Sequence, residues 1–353
     1  VLYHASAWGF IAMFWWTDRY LPVTVPNFDQ KFNLTYFSLR TIEQYVIFSI
    51  PAFLFVSGYF IAVATGRRQS TISWKLVGAR IKTLIIPYII WSVVMLLLEF
   101  VQGRAFNPAE ILLILFTGRA TEAFYFVPLL IQLYILAPFL VLLAKKNWKL
   151  LLLVAFLIEF SIRGMGYLFT LGIDSPGLDQ LAVLTNAWFF PARIFWFVMG
   201  IVVGFHLKSF REALNRFRWA LAAVTIFLLI LGIVEWEFLL QRSGEVWIAP
   251  YETMVDGFYA LSFILAFLAF EELKLPFSKR FENLGLKSYG IYLSHTLVII
   301  LASKIVYRFA PQILGYQIIF QPLLIFLGLG VPLVLMEIMN RSPARKYYVY
   351  LFG

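Results

Sequence analysis

Apolar runs long enough to cross a lipid bilayer recur along the whole of this 353-residue chain. They occupy roughly 1–17, 43–64, 82–101, 124–144, 148–170, 188–207, 219–236, 254–271, 288–307 and 316–339. A helix needs about 20 apolar residues to span the hydrocarbon core, whereas a transmembrane strand alternates apolar and polar residues over about ten. These runs are continuously apolar over the longer distance, so they read as helices. The predicted fold is an all-α polytopic membrane bundle of about ten transmembrane helices. Composition leads to the same place: 61% of the residues are hydrophobic and 14% charged, against about 25% charged in a soluble domain. Soluble globular and disordered chains are both excluded.

The charges orient the bundle. With the N-terminus taken as cytoplasmic, the segments between spans on that side hold Arg67, Arg68, Lys75, Arg80 and Lys82; Lys145, Lys146 and Lys149; Lys208, Arg211, Arg216 and Arg218; and Lys274, Lys279, Arg280 and Lys287. The tail adds Arg341, Arg345 and Lys346, which brings nineteen of the 29 Lys and Arg residues to one side. The opposite loops collect Glu235, Glu237, Glu245, Glu252 and Asp256. The positive-inside rule therefore places both termini in the cytoplasm. The net charge of +10 follows from this pattern, and no nucleic-acid partner is expected. The longest loops, near 18–42, 65–81, 171–187 and 237–253, are too short to fold alone, so one membrane domain over 1–353 is expected. The chain opens on Val1 in an apolar stretch without a basic leader region; no cleavable signal is expected, and the first helix is expected to begin before Val1.

Ionisable groups at membrane depth are costly, which makes each one a candidate for function. The chain has three histidines. His206 falls at the cytoplasmic end of the sixth run beside Lys208, as an interfacial residue would. His4 and His295 lie within apolar runs at similar depth. Both suit structural roles, and both suit proton chemistry. Glu159 and Arg163 are spaced to pair along one helix. Together with Arg40, Glu43, Arg193 and Trp188 they are read either as interfacial snorkelling or as the wall of an outer cavity that stacks on and hydrogen-bonds a sugar. Gly200 and Gly204 form a small-xxx-small pair suited to close helix packing.

Several chemistries are missing. There are no cysteines, which removes disulfides, thiolate metal sites and a cysteine nucleophile. No phosphate loop and no metal-binding histidine spacing occurs, so neither a nucleotide-driven pump nor a metal centre is expected. The position five residues after each histidine holds Gly9, Arg211 or Ile300 rather than aspartate, unlike the soluble glycerolipid acyltransferase motif.

Three segments give a more specific lead: Phe53-Leu54-Phe55-Val56-Ser57-Gly58-Tyr59-Phe60, then Ala79-Arg80-Ile81-Lys82 leading to Pro87-Tyr88, then Ser288-Tyr289-Gly290-Ile291-Tyr292-Leu293-Ser294-His295. In this order, with a histidine in the first run, the sequence resembles the acyltransferase-3 family of integral membrane acyltransferases over essentially its whole length. The resemblance implies ten spans and transfer of acetyl or other short acyl groups, commonly from acyl-CoA, to extracytoplasmic glycans. It makes His4 the end of the family's Arg-x10-His signature, a position thought to be catalytic, whose arginine would precede Val1. It matches Ser57, Gly58 and Tyr59 to the Ser-Gly-aromatic element, Arg80 and Lys82 to the basic stretch before the third span, and Tyr125 and Phe126 to an aromatic pair. Thr83 stands where a further cation is often found.

A mechanism can be assembled from these positions. His4 or His295 takes the acceptor hydroxyl proton, since a neutral imidazole is suited to that near pH 7. Ser57, Tyr59, Tyr292 or His295 supplies donors to the developing oxyanion or supports it. Arg80, Lys82, Arg67 and Arg68 meet the phosphates of acetyl-CoA or another acyl-CoA. Arg40, Glu43, Arg163, Arg193 and Trp188 line the approach of a glycan from outside. No metal is required. The expected setting is a bacterial inner membrane, with the bilayer, a glycan acceptor and either a second copy or polysaccharide-assembly proteins as partners. The rival from another class is a transporter or exporter of a glycan or lipid-linked sugar. It fits the aromatic walls and embedded charges but lacks an inverted repeat or paired Gly/Pro-broken segments. A non-catalytic partner in a polysaccharide-assembly complex fits the composition and leaves His4 and His295 without a role.

Overall fold

The computed structural model describes residues 1–173, 178–248, 253–270 and 278–353, and all regular structure among them is helical. Lys274 and Glu252, two charges of the orientation pattern, lie outside the described residues. In chain order the helices are α1 (Leu2–Phe14), α2 (Leu34–Val46), α3 (Ser49–Thr65), α4 (Trp74–Val101), α5 (Pro108–Thr117), α6 (Phe126–Thr170), α7 (Leu178–Leu181), α8 (Ile194–Arg216), α9 (Arg218–Ser243), α10 (Met254–Ala269), α11 (Ser278–Leu286), α12 (Ser288–Phe309), α13 (Gln317–Arg341) and α14 (Tyr348–Phe352).

Seven helical stretches among the described residues are long and apolar enough to cross a membrane: 34–65, 74–101, 126–170, 190–216, 218–243, 288–309 and 317–341. The 45 residues of α6 are about twice what one crossing needs. Its ladder breaks at Asn147 (φ −155°, ψ 81°), whose side-chain oxygen accepts the Leu150 amide at 3.1 Å and so caps the second leg. The two legs coincide with the runs at 124–144 and 148–170. Helices α1 and α10, with 13 and 16 residues, are shorter than the length a perpendicular crossing requires.

Three boundaries differ from the sequence reading. The segment near 18–42 is not all loop, because α2 begins at Leu34. Helix α8 runs on to Arg216, which makes Lys208 and Arg211 helical rather than loop residues. The loop expected to 81 ends at Trp74, so Lys75, Arg80 and Lys82 lie in the opening turns of α4. Helix α5 was not expected at all. Its signals are nonetheless ordinary: Asn107 accepts the Glu110 amide, Pro108 occupies the first turn, and Gly118 closes the helix in the left-handed region at φ 76°.

The chain divides into two compact units. The first comprises Val1–Val46, Thr83–Phe124 and Pro276–Gly353. Its core gathers Ala5 and Ala12 of α1, Ile299, Ala302 and Val306 of α12, and Phe320 and Leu324 of α13. Helix α1 also packs on α2. A second apolar cluster joins Ile291, Met336 and Phe352, and the Trp91 indole N–H reaches the Leu351 carbonyl at 2.8 Å.

The second unit comprises Ile47–Lys82 and Tyr125–Leu275. Its central feature is the contact of α3 with α8. A Cβ added at Gly58 would strike the Phe197 carbonyl, and one added at Gly200 would strike the Phe55 carbonyl. At Gly204 it would lie 2.6 Å from the Ala62 methyl and 3.1 Å from the Tyr59 carbonyl. The two backbones approach this closely only because each carries glycine at the crossing. The Gly200/Gly204 expectation is met, and Gly58 of the Ser-Gly-aromatic element is its counterpart on α3. Helix α10 starts with a capping box in which Thr253 and Asp256 satisfy each other's backbone amides.

Candidate functional site

Within the first unit, the helix that carries His295 is fixed by the residues of its own opening turns. Gly290 lets α12 close on Met336 and Phe352, where an added Cβ would collide. The Tyr289 hydroxyl donates to the Leu84 carbonyl of α4 at 2.6 Å. Pro87, in the next turn of α4, withholds the amide that would have bonded the adjacent Thr83 carbonyl. The Tyr292 hydroxyl donates to the Ala123 carbonyl, and the Ser294 hydroxyl donates to the Gly290 carbonyl at 2.7 Å. Tyr292→Phe is expected to lower stability by about 1 kcal/mol, since it removes one hydrogen bond and strands a carbonyl. A thermal unfolding midpoint equal to that of the unsubstituted protein would show that the contact contributes nothing.

His295 is buried. Its Nδ1 lies 2.9 Å from the Ile291 carbonyl and 2.8 Å from the Tyr292 carbonyl. Both neighbours accept only, so Nδ1 must carry the proton and Nε2 must carry the lone pair. Nε2 is buried without a hydrogen-bond partner among the described residues. The His4 ring, on α1, stands 5.2 Å away between centroids at 50°, and Tyr3 packs edge-on against His4 at 5.5 Å. The Tyr292 ring lies 6.4 Å from that of His295. The sequence-predicted His4, His295 and Tyr292 thus share one cluster. A neutral imidazole with a free lone pair in such a place can accept a proton from a bound hydroxyl. No group of three or more potential metal ligands occurs among the described residues.

Arg40 and Glu43, also in the first unit, are both buried to 2% exposure and form an ion pair one helical turn apart. Paired and buried, neither side chain extends to the protein surface as a snorkelling residue does.

The second unit holds the remaining candidates. Arg163 donates to Glu159 at 2.8 and 3.3 Å and to the Thr253 carbonyl at 3.2 Å. The Phe195 amide completes Glu159 at 2.9 Å. Tyr167 and Thr253 both donate to Glu235, a network that the sequence reading did not foresee because its members lie on three helices. Arg193 sits in a single 3-10 turn before α8. It donates to the Ala187 carbonyl at 2.9 Å and lies over the Tyr125 ring at 5.1 Å. Arg163, Arg193, Tyr167 and Thr253 line a cavity of about 380 Å³. Trp188 bonds through its carbonyl to Gln132 at 2.8 Å. Ser57 and Tyr59 flank Gly58 on α3, both half-buried. Arg80 lies 6.0 Å from the Tyr134 ring, and Lys82 is exposed. Arg67 and Arg68 follow Gly66 in a turn whose carbonyls, those of Gly66 and Gln69, are held by the Lys145 ammonium.

A family model described as an acyltransferase domain matches residues 1–337. The chain belongs to the acyltransferase-3 family. No curated protein and no solved structure matches it. Family membership makes this an acyltransferase with apolar membrane-crossing helices, and it implies an acyl donor. The segments that carried the family resemblance have identifiable physical duties here. Ser57-Gly58-Tyr59 forms the α3 side of the close crossing with α8, and Tyr289, Gly290 and Tyr292 fix the helix that carries His295. What the sequence did not disclose is that Arg67 shares a cavity with Lys208 and Arg211, far along the chain.

Proposed function

We propose that this acyltransferase-3 member transfers an acetyl or other short acyl group from acyl-CoA to a hydroxyl of an extracytoplasmic glycan, in a bacterial inner membrane. The observation that supports it most is the His4–His295 pair, with the lone pair of His295 Nε2 unbonded. In this reading an imidazole accepts the acceptor's hydroxyl proton as the oxygen attacks the thioester carbonyl. The C–O bond forms, the C–S bond breaks, and the thiolate leaves as CoA after taking up the proton. Ser57 or Tyr59 stabilises the oxyanion, and Tyr292 supports His295 by fixing its helix. Arg80, Lys82, Arg67 and Arg68 bind the donor's phosphates. Arg163, Arg193 and Trp188, with Arg40 and Glu43, receive the glycan. The chain crosses the membrane ten times with both ends cytoplasmic, which puts donor and acceptor on opposite sides.

The test is transfer of label from radiolabelled acetyl-CoA to extracted envelope glycan by the purified protein. Arg80→Ala is expected to raise KM for acyl-CoA by about tenfold, the loss of one charge-assisted contact, with little change in KM for the acceptor. The reverse pattern would return Arg80 to a purely topological role. Flux of a glycan into vesicles without acyl-CoA, and no label transfer, would favour the transporter.

A further inference from the structure

We propose that a second cavity, lined by Arg67, Lys208 and Arg211, binds the phosphate groups of an organic phosphate ester. The cavity belongs to the second unit and has a volume of about 550 Å³, within the common range of about 300–1,000 Å³ for small-molecule sites. Arg67 comes from the turn after α3, Lys208, Arg211, Glu212 and Asn215 from the last turns of α8, and Leu268 and Ala269 from the end of α10. The described residues that line it include three cations and one carboxylate. Cations that serve only to orient a membrane protein need no concavity, since they are satisfied by water and lipid headgroups. These cations share one, with Leu207, Leu268 and Ala269 as apolar walls. The turn bearing Arg67 is also built: the Lys145 ammonium ties down the Gly66 and Gln69 carbonyls and stacks on Phe205 at 4.8 Å. Lys145 is thereby committed to structure. The head groups of Arg67 and Lys208 have no hydrogen-bond or ion-pair partner among the described residues. Two uncommitted cations at an apolar-walled cavity suit an anionic phosphate ester whose organic part lies against the apolar side.

Two sources present that chemistry: the phosphates of coenzyme A and the headgroup of an anionic phospholipid. Only the first rests on the proposed function; it would add Lys208 and Arg211 to the donor site. The experiment uses the full chain in nanodiscs. Coenzyme A affinity is measured by titration calorimetry, and retention of phosphatidylglycerol over phosphatidylcholine is measured by mass spectrometry. In R67Q/K208Q the affected ligand is expected to bind at least ~10-fold more weakly, and in Glu212→Gln more tightly, since one repelling charge is gone. A loss confined to coenzyme A identifies a nucleotide site, and a loss confined to phosphatidylglycerol a lipid site. Unchanged binding of both ligands in folded R67Q/K208Q overturns the proposal. Should that variant fail to fold, unchanged binding of both in Glu212→Gln overturns it. Cavity-dependent binding of coenzyme A by a protein that transfers no acyl group would leave this site standing and remove the catalytic reading instead.

Discussion

Replacing His295 by asparagine is expected to leave the protein folded and to slow acyl transfer by roughly 10²- to 10⁴-fold, the usual contribution of a positioned general base. The asparagine amide can donate to the Ile291 and Tyr292 carbonyls as Nδ1–H does, at 2.9 and 2.8 Å, so helix α12 keeps its local bonding. It offers nothing in place of Nε2. His4→Gln is expected to fall in the same range, since the two rings stand 5.2 Å apart. The double variant separates two arrangements. Residues that act as a unit are non-additive, and removing both then costs little more than removing one. Multiplied losses would mean independent roles. The readout is kcat with labelled acetyl-CoA, alongside the unfolding midpoint. A fully active His295→Asn would take the base away from α12.

The second large effect is on folding. Gly200→Ala is expected to destabilise the protein by about 3 kcal/mol or more, at the upper end of overpacking effects. The added methyl meets the Phe55 carbonyl, which is backbone and cannot rotate aside. Helices α3 and α8 would have to separate over their whole crossing, which also frees Gly58 from Phe197. Gly78→Ala serves as the control, because nothing lies within 4 Å of a Cβ at that helical position. Alanine there gains helix propensity of up to about 1 kcal/mol. Unfolding midpoints in one detergent decide the matter: equal midpoints for Gly200→Ala and the unsubstituted protein would mean that the helices are not held at this distance.

Much of this architecture is legible in the sequence because the bilayer imposes a single period and length on each apolar run. The break at Asn147 is an example. Lys145, Lys146 and Lys149 interrupt an apolar stretch there, and a residue with strong capping tendency stands among them. Helices α2 and α5 escaped for opposite reasons. Helix α2 carries Arg40, Glu43 and Gln44, which lower its apparent hydropathy, yet all three are buried. Helix α5 is apolar but has only ten residues, too few to register as a span. Of the candidate site, the histidine pair was visible as two rare residues at matching depth. The tyrosine anchors beside it were visible only as a motif, because their partners are backbone carbonyls and leave no trace in side-chain chemistry. The cavity lined by Arg67 and Lys208 was invisible for a third reason: its cations come from segments well over a hundred residues apart, and charge alone does not distinguish a pocket wall from a loop.

The arrangement of His295 has a consequence for how its chemistry can vary. Histidine bases commonly have their tautomer set by a carboxylate on another part of the chain, and such a base can be retuned by altering that partner. Here the proton is held by carbonyls three and four residues back on the same helix, groups that every amino acid supplies. The ring's electronic state is therefore inherited from α-helical geometry and has no acidic side chain to lose. Substitutions elsewhere act on this nitrogen through its position and its burial beside the His4 ring. On the proposed reading, divergent sequences vary which hydroxyl is presented to this nitrogen while the imidazole itself stays the same.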